Sequence, residues 1–183
     1  ATWHLRRAQA HMQARHDGEA LQELASALRE DDTNVEAHVL TGFLLDRSGD
    51  VEAAITQYRQ ALALDPDHVT TCNNLGHALA RQGEAEEAET LYRRALRWNP
   101  WHALACNNLG WLLMEQGRLE EAADAFTQEI AAEPNHARGH YHLGIALARQ
   151  GKLELSAEHL EAALTHAPGN PDILTDLGLV QAR

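Results

Sequence analysis

Glycine and proline recur in this sequence at intervals of 34 residues, and no other feature restricts the fold so tightly. Gly42, Gly76, Gly110, Gly144 and Gly178 form one series; Gly49, Gly83, Gly117 and Gly151 form a second; Pro66, Pro100, Pro134 and Pro168 form a third. Ala20, Ala54, Ala88, Ala122 and Ser156 keep the same step, as do Leu24, Tyr58, Tyr92, Phe126 and Leu160. The pentapeptide CNNLG, written at Cys72 and again at Cys106, is one piece of this larger repeat. A period of this size marks an array in which each unit is one supersecondary element that buries its apolar surface only against its neighbours.

The content of a unit says which element it is. Val51, Ala54, Ile55, Tyr58, Ala61 and Leu62 fall on one stripe of an α-helix. The segment from Val39 to Leu45 predicts another helix before it, and Gly49 between them can take the positive φ that closes a helix. Pro66 lacks a backbone N–H and ends the second helix. Asp67, Asn135 and Asn170 then stand where a short polar side chain caps the next helix. Each unit is a helical hairpin, and the fold class is all-α.

The residues Leu75-Gly76-x2-Leu79, Ala88-x3-Tyr92 and Pro100, with Leu109-Gly110-x2-Leu113, Ala122-x3-Phe126 and Pro134, resemble the tetratricopeptide repeat. The resemblance covers essentially the whole chain. It implies a single domain, 1–183, with units at 1–34, 35–68, 69–102, 103–136 and 137–170 and a terminal helix at 171–183. It also implies a right-handed α-solenoid whose first helices line a concave, peptide-binding groove. The chain departs from the family pattern in places. The usual Trp at the fourth position is replaced by His4, His38, Cys72, Cys106, His140 and Leu174. Arg7-Ala8 stands for Leu-Gly and Asp32 for Pro, so the first unit has the weakest boundary. Glu129 replaces a small Ala, which suggests either looser packing or a polar contact.

Composition narrows the function. Hydrophobic residues at 44% and charged residues at 23% fit a folded soluble protein, without an apolar run long enough to span a membrane. The first residues show no export signal, which points to the cytoplasm. A net charge of -12 argues against nucleic acid, whose affinity comes from clustered Lys and Arg. Zinc-protease, paired-cysteine and phosphate-loop motifs are absent, so the chain reads as non-catalytic, with no cofactor and no metal. Of the 12 histidines, His68, His102 and His136 share one turn position, and His4, His38 and His140 share one packing position. A metal site through His136, His140 and His142 is therefore disfavoured. Cys72 and Cys106, at equivalent positions of neighbouring hairpins, are expected as two buried, reduced thiols.

The family register places Asn73, Asn74, His77 and Arg81 of the third unit in the groove. Asn107, Asn108 and Trp111 follow from the fourth, and Arg138, Tyr141, His142 and Arg149 from the fifth. Paired amides offer donor and acceptor to a peptide backbone, resembling part of the asparagine ladder of O-linked N-acetylglucosamine transferases. Arg47, Arg81, Arg149 and Arg183 share one position, which favours an acidic peptide or a terminal carboxylate. The carboxylate clamp of co-chaperones is matched only by Asn108 and Arg138. Trp98 and Trp101 flank Pro100 and are expected to pack at their turn, whereas Trp3 is expected at an exposed docking end. The leading expectation is a protein-interaction module or scaffold that binds a partner peptide or helix. Two alternatives remain: a substrate-recruiting segment of a larger glycosyltransferase or oxygenase, motivated by the missing start Met, and a homo-oligomer assembled through uncapped ends.

Overall fold

A computed structural model describes residues 1–182; Arg183, the last of the predicted arginine row, lies outside the described residues. Among them are eleven α-helices and no strand. The order is α1 (Thr2–Gln13), α2 (Asp17–Glu30), α3 (Val35–Ser48), α4 (Val51–Leu64), α5 (Val69–Arg81) and α6 (Ala85–Trp98). It continues with α7 (Ala103–Glu115), α8 (Leu119–Ala132), α9 (Ala137–Arg149), α10 (Leu153–His166) and α11 (Pro171–Gln181). The chain forms two compact units, Ala1–Ala95 and Leu96 onward. In the first, Leu5, Ala8, Ala20, Leu24, Ala27, Ala37 and Leu44 form one buried cluster. In the second, Leu160, Ala163 and Ile173 do so, with Tyr141, Leu177 and Val180 packed against them.

Hairpin packing explains the glycine series in the first helices. A Cβ at Gly42 would lie 2.7 Å from the Tyr58 ring, and one at Gly110 would lie 2.5 Å from Phe126. Gly76 meets Tyr92 and Gly144 meets Leu160 in the same way, at 2.8 and 2.9 Å. The large side chain of the second helix thus rests on the bare backbone of the first. The second glycine series serves the turn: Gly49, at φ 93, is the left-handed cap of α3. Arg15 occupies the corresponding place in the first unit with φ 58, a conformation costly for a side chain with a Cβ.

Helix starts correct one expectation. Asn170 caps α11, accepting from the N–H groups of Asp172 and Ile173, but Asp67 and Asn135 are not caps. The residue after each takes that place. Nδ1 of His68 accepts from the Thr71 N–H at 3.3 Å, and Nδ1 of His102 accepts from the Ala105 N–H at 3.1 Å. His136 holds the same position without a side-chain bond to the helix. A neutral imidazole acceptor does the work usually given to Asn or Ser.

The fourth position of each unit is matched to the residue 19 places on. His4 pairs with Glu23 at 2.6 Å, His38 with Gln57 at 2.8 Å and His140 with His159 at 3.1 Å, each across that separation of 19. Where the position is Cys72 or Cys106, the residue 19 places on is the buried, apolar Leu91 or Ala125. Both thiols are free and buried, and their Sγ atoms lie near the carbonyls of Pro66 and Pro100.

Candidate functional site

The richest polar arrangement lies in the second unit and is built around Glu129. At this place on the second helix the other units carry Ala27, Ala61, Ala95 and Ala163, all essentially fully buried, and Glu129 is itself only 1% exposed. A carboxylate cannot stay charged there alone. Arg138 donates Nε to Glu129 Oε1 at 2.7 Å, and Asn107 donates Nδ2 to Oε2 at 3.1 Å. Asn107 Nδ2 also lies 2.7 Å from Nδ1 of His142, which therefore accepts. Burial alone would raise the Glu129 carboxyl, but the hydrogen bonds from Arg138 and Asn107 and the Arg138 charge outweigh it and hold it below the usual carboxylate range. Gly139 stands where other units have Ala37, Thr71 or Ala105; a Cβ there would meet Ile130 at 2.9 Å but Glu129 Cγ only at an ordinary 3.5 Å, so the glycine clears space for Ile130.

Aromatic rings cover this network. Trp111 meets His142 edge-on with centroids 5.0 Å apart, and Phe126 lies 5.3 Å from the same imidazole. Tyr141 donates its hydroxyl to Asp176 at 2.8 Å; burial, followed by that carboxylate, pushes its phenol up to about 12. Asn107 and His142 are buried, while Asn108, Trp111, Arg138 and Tyr141 are half-buried and Arg149 is exposed. The predicted groove set therefore divides into a floor, Asn107 and His142, and a rim that reaches solvent. Arg138 also lines an open cleft of about 580 Å³ with Leu104, Glu133, Pro134, Asn135 and His136.

In the first unit, Asn73 is buried and donates to Asn74 at 3.3 Å, while Asn74 is half-buried and His77 and Arg81 are exposed. Arg81 is paired with Asp46, which His77 approaches to 3.8 Å, and Arg47 is paired with Asp17. Three of the predicted groove arginines thus have carboxylate partners inside the chain, and Arg149 shows none among the described residues. The repeat register puts Asp46 on the groove side without assigning it a partner, and Glu129 and Asp176 were absent from the predicted site. Only Glu129 carried a signal, as the one acid in a column of alanines.

His140 stacks on His159 and His166, with centroids 5.3 and 6.2 Å away, whereas His142 belongs to the Glu129 network. Among the described residues no cluster of His, Cys, Asp or Glu has metal-holding geometry. No helix there is long and apolar enough to cross a membrane.

Tetratricopeptide repeat family models match residues 107–171 and 69–100, and a TPR repeat model matches residues 47–83. No curated protein matches the sequence. Solved structures share the fold at low identity. Pseudomonas aeruginosa pilF is 18% identical over 99% of this chain and 82% of that one, with TM-score 0.89. MamA from Desulfovibrio magneticus RS-1 is 22% identical over 93% and 96%, with TM-score 0.81. YrrB, described as a TPR protein with an unusual peptide-binding site, is 22% identical over 94% and 89%, with TM-score 0.77.

Proposed function

Because the chain belongs to the tetratricopeptide repeat family, we propose that it acts as a non-catalytic interaction module, holding a peptide or helix of a partner protein on its first-helix faces. The observation that carries this reading is the two-layer build of the second unit. A buried floor of Asn107, Glu129 and His142 fixes a half-exposed rim of Asn108, Trp111 and Tyr141. Such a surface offers amide, indole and phenol groups held in place before binding, which lowers the ordering cost of association. The polar groups of the floor satisfy one another, which suits recognition rather than catalysis. The peptide-binding site attributed to YrrB, of the same fold, is consistent with this use.

The pairing of Arg47, Arg81 and Arg138 within the chain refines the ligand. Charge recognition rests on Arg149, so the partner need carry only one acidic group there; amide and aromatic contacts supply the rest. The test is affinity capture of native partners, repeated with Trp111→Ala plus Arg149→Ala, followed by a binding measurement with the purified partner. Loss of at least about tenfold in affinity at an unchanged melting temperature supports the reading. Unchanged affinity overturns it. Self-association is a second reading, favoured by α11, whose Leu174 and Leu179 are 50% and 59% exposed. Light scattering over a concentration series separates the two.

A further inference from the structure

Helices α9, α10 and α11 leave a pocket of about 150 Å³ between them, lined by Ile145, Ala148, Leu153, Asp176, Leu179 and Val180. Leu179 is exposed and the other five are half-buried, so the pocket opens to solvent. Asp176 supplies its polar wall and accepts from the Tyr141 hydroxyl at 2.8 Å.

The preceding unit shows the same place filled. One period of 34 residues earlier, the equivalent positions hold Trp111, Met114, Leu119, His142, Ile145 and Ala146. There Met114 is buried, and the Trp111 indole is half-buried against His142, with ring centroids 5.0 Å apart. Ile145 thus stands for Trp111 and Ala148 for Met114, two large-to-small replacements at one place. The helices meet in matching register at both places: Asn107 bonds His142 across 35 residues, and Tyr141 bonds Asp176 across 35. What the later place lacks is the ring. An apolar cavity of about 150 Å³ holds one benzene molecule, so the space suits a single phenyl ring.

Building on the assignment of the partner to the first-helix faces, we propose that this pocket receives a phenyl-sized aromatic side chain of the partner segment. The ligand supplies in trans the ring that Trp111 supplies within the preceding unit. The ring packs on Ile145, Leu153, Leu179 and Val180, and the apolar area it removes from water provides the affinity. The Asp176 carboxylate accepts more than one hydrogen bond and takes a backbone N–H of the segment beside the one from Tyr141. Arg149 follows Ile145 by four residues, one turn along the same face of α9, about 5–6 Å away between Cβ atoms. The acidic group that Arg149 receives therefore lies close in sequence to the aromatic residue.

The test follows the methyl signals of Leu153, Leu179 and Val180 in the full chain during titration with two blocked peptides, acetyl-Gly-Phe-Gly-Glu-Gly-amide and its Ala-for-Phe counterpart. The expected result is saturable movement of these methyls with the Phe peptide, and binding of the Ala peptide at least about tenfold weaker, as burial of one ring requires. Ala148→Met restores the side chain of the preceding unit; it should fill the pocket and abolish the response at an unchanged or higher melting temperature. A second filling variant, Ala148→Leu, should do the same. No saturable movement at millimolar Phe peptide, an equal response to the Ala peptide, or an unaltered response in both filled variants overturns the proposal. So does movement of the methyls with protein concentration alone, which assigns the pocket to a second copy of the chain. With the captured native partner, Ala148→Met should weaken binding at least about tenfold. Unchanged affinity there, while Trp111→Ala plus Arg149→Ala still lowers it, overturns the pocket alone; unchanged affinity in both variants overturns the first-helix reading with it.

Discussion

Gly110 and Gly178 occupy the same place in the repeat, yet the same substitution should act on them with opposite sign. Alanine replaces glycine inside a helix with a gain of about 1 kcal/mol from backbone entropy. At Gly178 nothing lies within 4 Å of the added Cβ, so Gly178→Ala should keep that gain. At Gly110 the added Cβ would sit 2.5, 2.7 and 2.8 Å from three carbons of the Phe126 ring. Phe126 is fully buried, so the ring escapes only by moving α8 or disturbing its own neighbours. Overpacking of this kind costs about 1–3 kcal/mol. With contact at three ring atoms we take the upper part of that range, leaving Gly110→Ala destabilised by about 1–2 kcal/mol after the propensity gain. For a chain of this length, each kcal/mol moves the melting temperature by about 2–4 °C. Thermal melts followed by circular dichroism should therefore show Gly178→Ala above wild type and Gly110→Ala below it. If both variants move in the same direction, the close approach of helix backbone and ring is not what fixes glycine in this motif.

Arg15→Gly should stabilise by about 0.5–1 kcal/mol, since it relieves a left-handed backbone at φ 58, and urea unfolding reads the shift in midpoint. Glu129, whose carboxyl is held below its ordinary range, contributes stability that is present above about pH 4.3 and is lost as pH falls through the folded value. Glu129→Gln should cost about 1–3 kcal/mol at neutral pH and should flatten the acid limb of a pH–stability curve; an unchanged acid limb refutes this assignment. Burial pushes the Cys106 thiol up to about 11, and raises that of Cys72 for the same reason. Both should resist a thiol reagent at pH 8 in the folded protein and react fully in denaturant, with two thiols found by colorimetric titration.

The hairpins were legible because their determinants are local and written repeatedly. Gly49 and Pro66 punctuate the chain through their own backbone geometry, and the stripe from Val51 to Leu62 has a helical period whatever surrounds it. The helix caps were read one residue off. Nothing local in Asp67-His68 says which of the two adopts the capping dihedrals, and a histidine was not expected to cap. The indoles at Trp98 and Trp101 were expected to pack because large apolar residues usually do; they are 57% and 63% exposed, since whether a neighbour covers them is not encoded in the turn itself.

The candidate site divides along the same line. Sequence register assembled its residues, since position within a 34-residue unit fixes which side of a first helix a residue occupies. It could not rank Asn107 against Asn108, or foresee that Arg81 and Arg138 would be held by Asp46 and Glu129. Those outcomes depend on atoms brought together from helices far apart in the chain, where a hydrogen bond forms or fails over a few tenths of an ångström. Sequence alone therefore determined the unit and its helices, and gave each residue its side of a first helix. Tertiary packing decided which polar groups are satisfied within the chain and which stay exposed, because satisfaction is a property of contacts, and contacts exist only once the hairpins have folded.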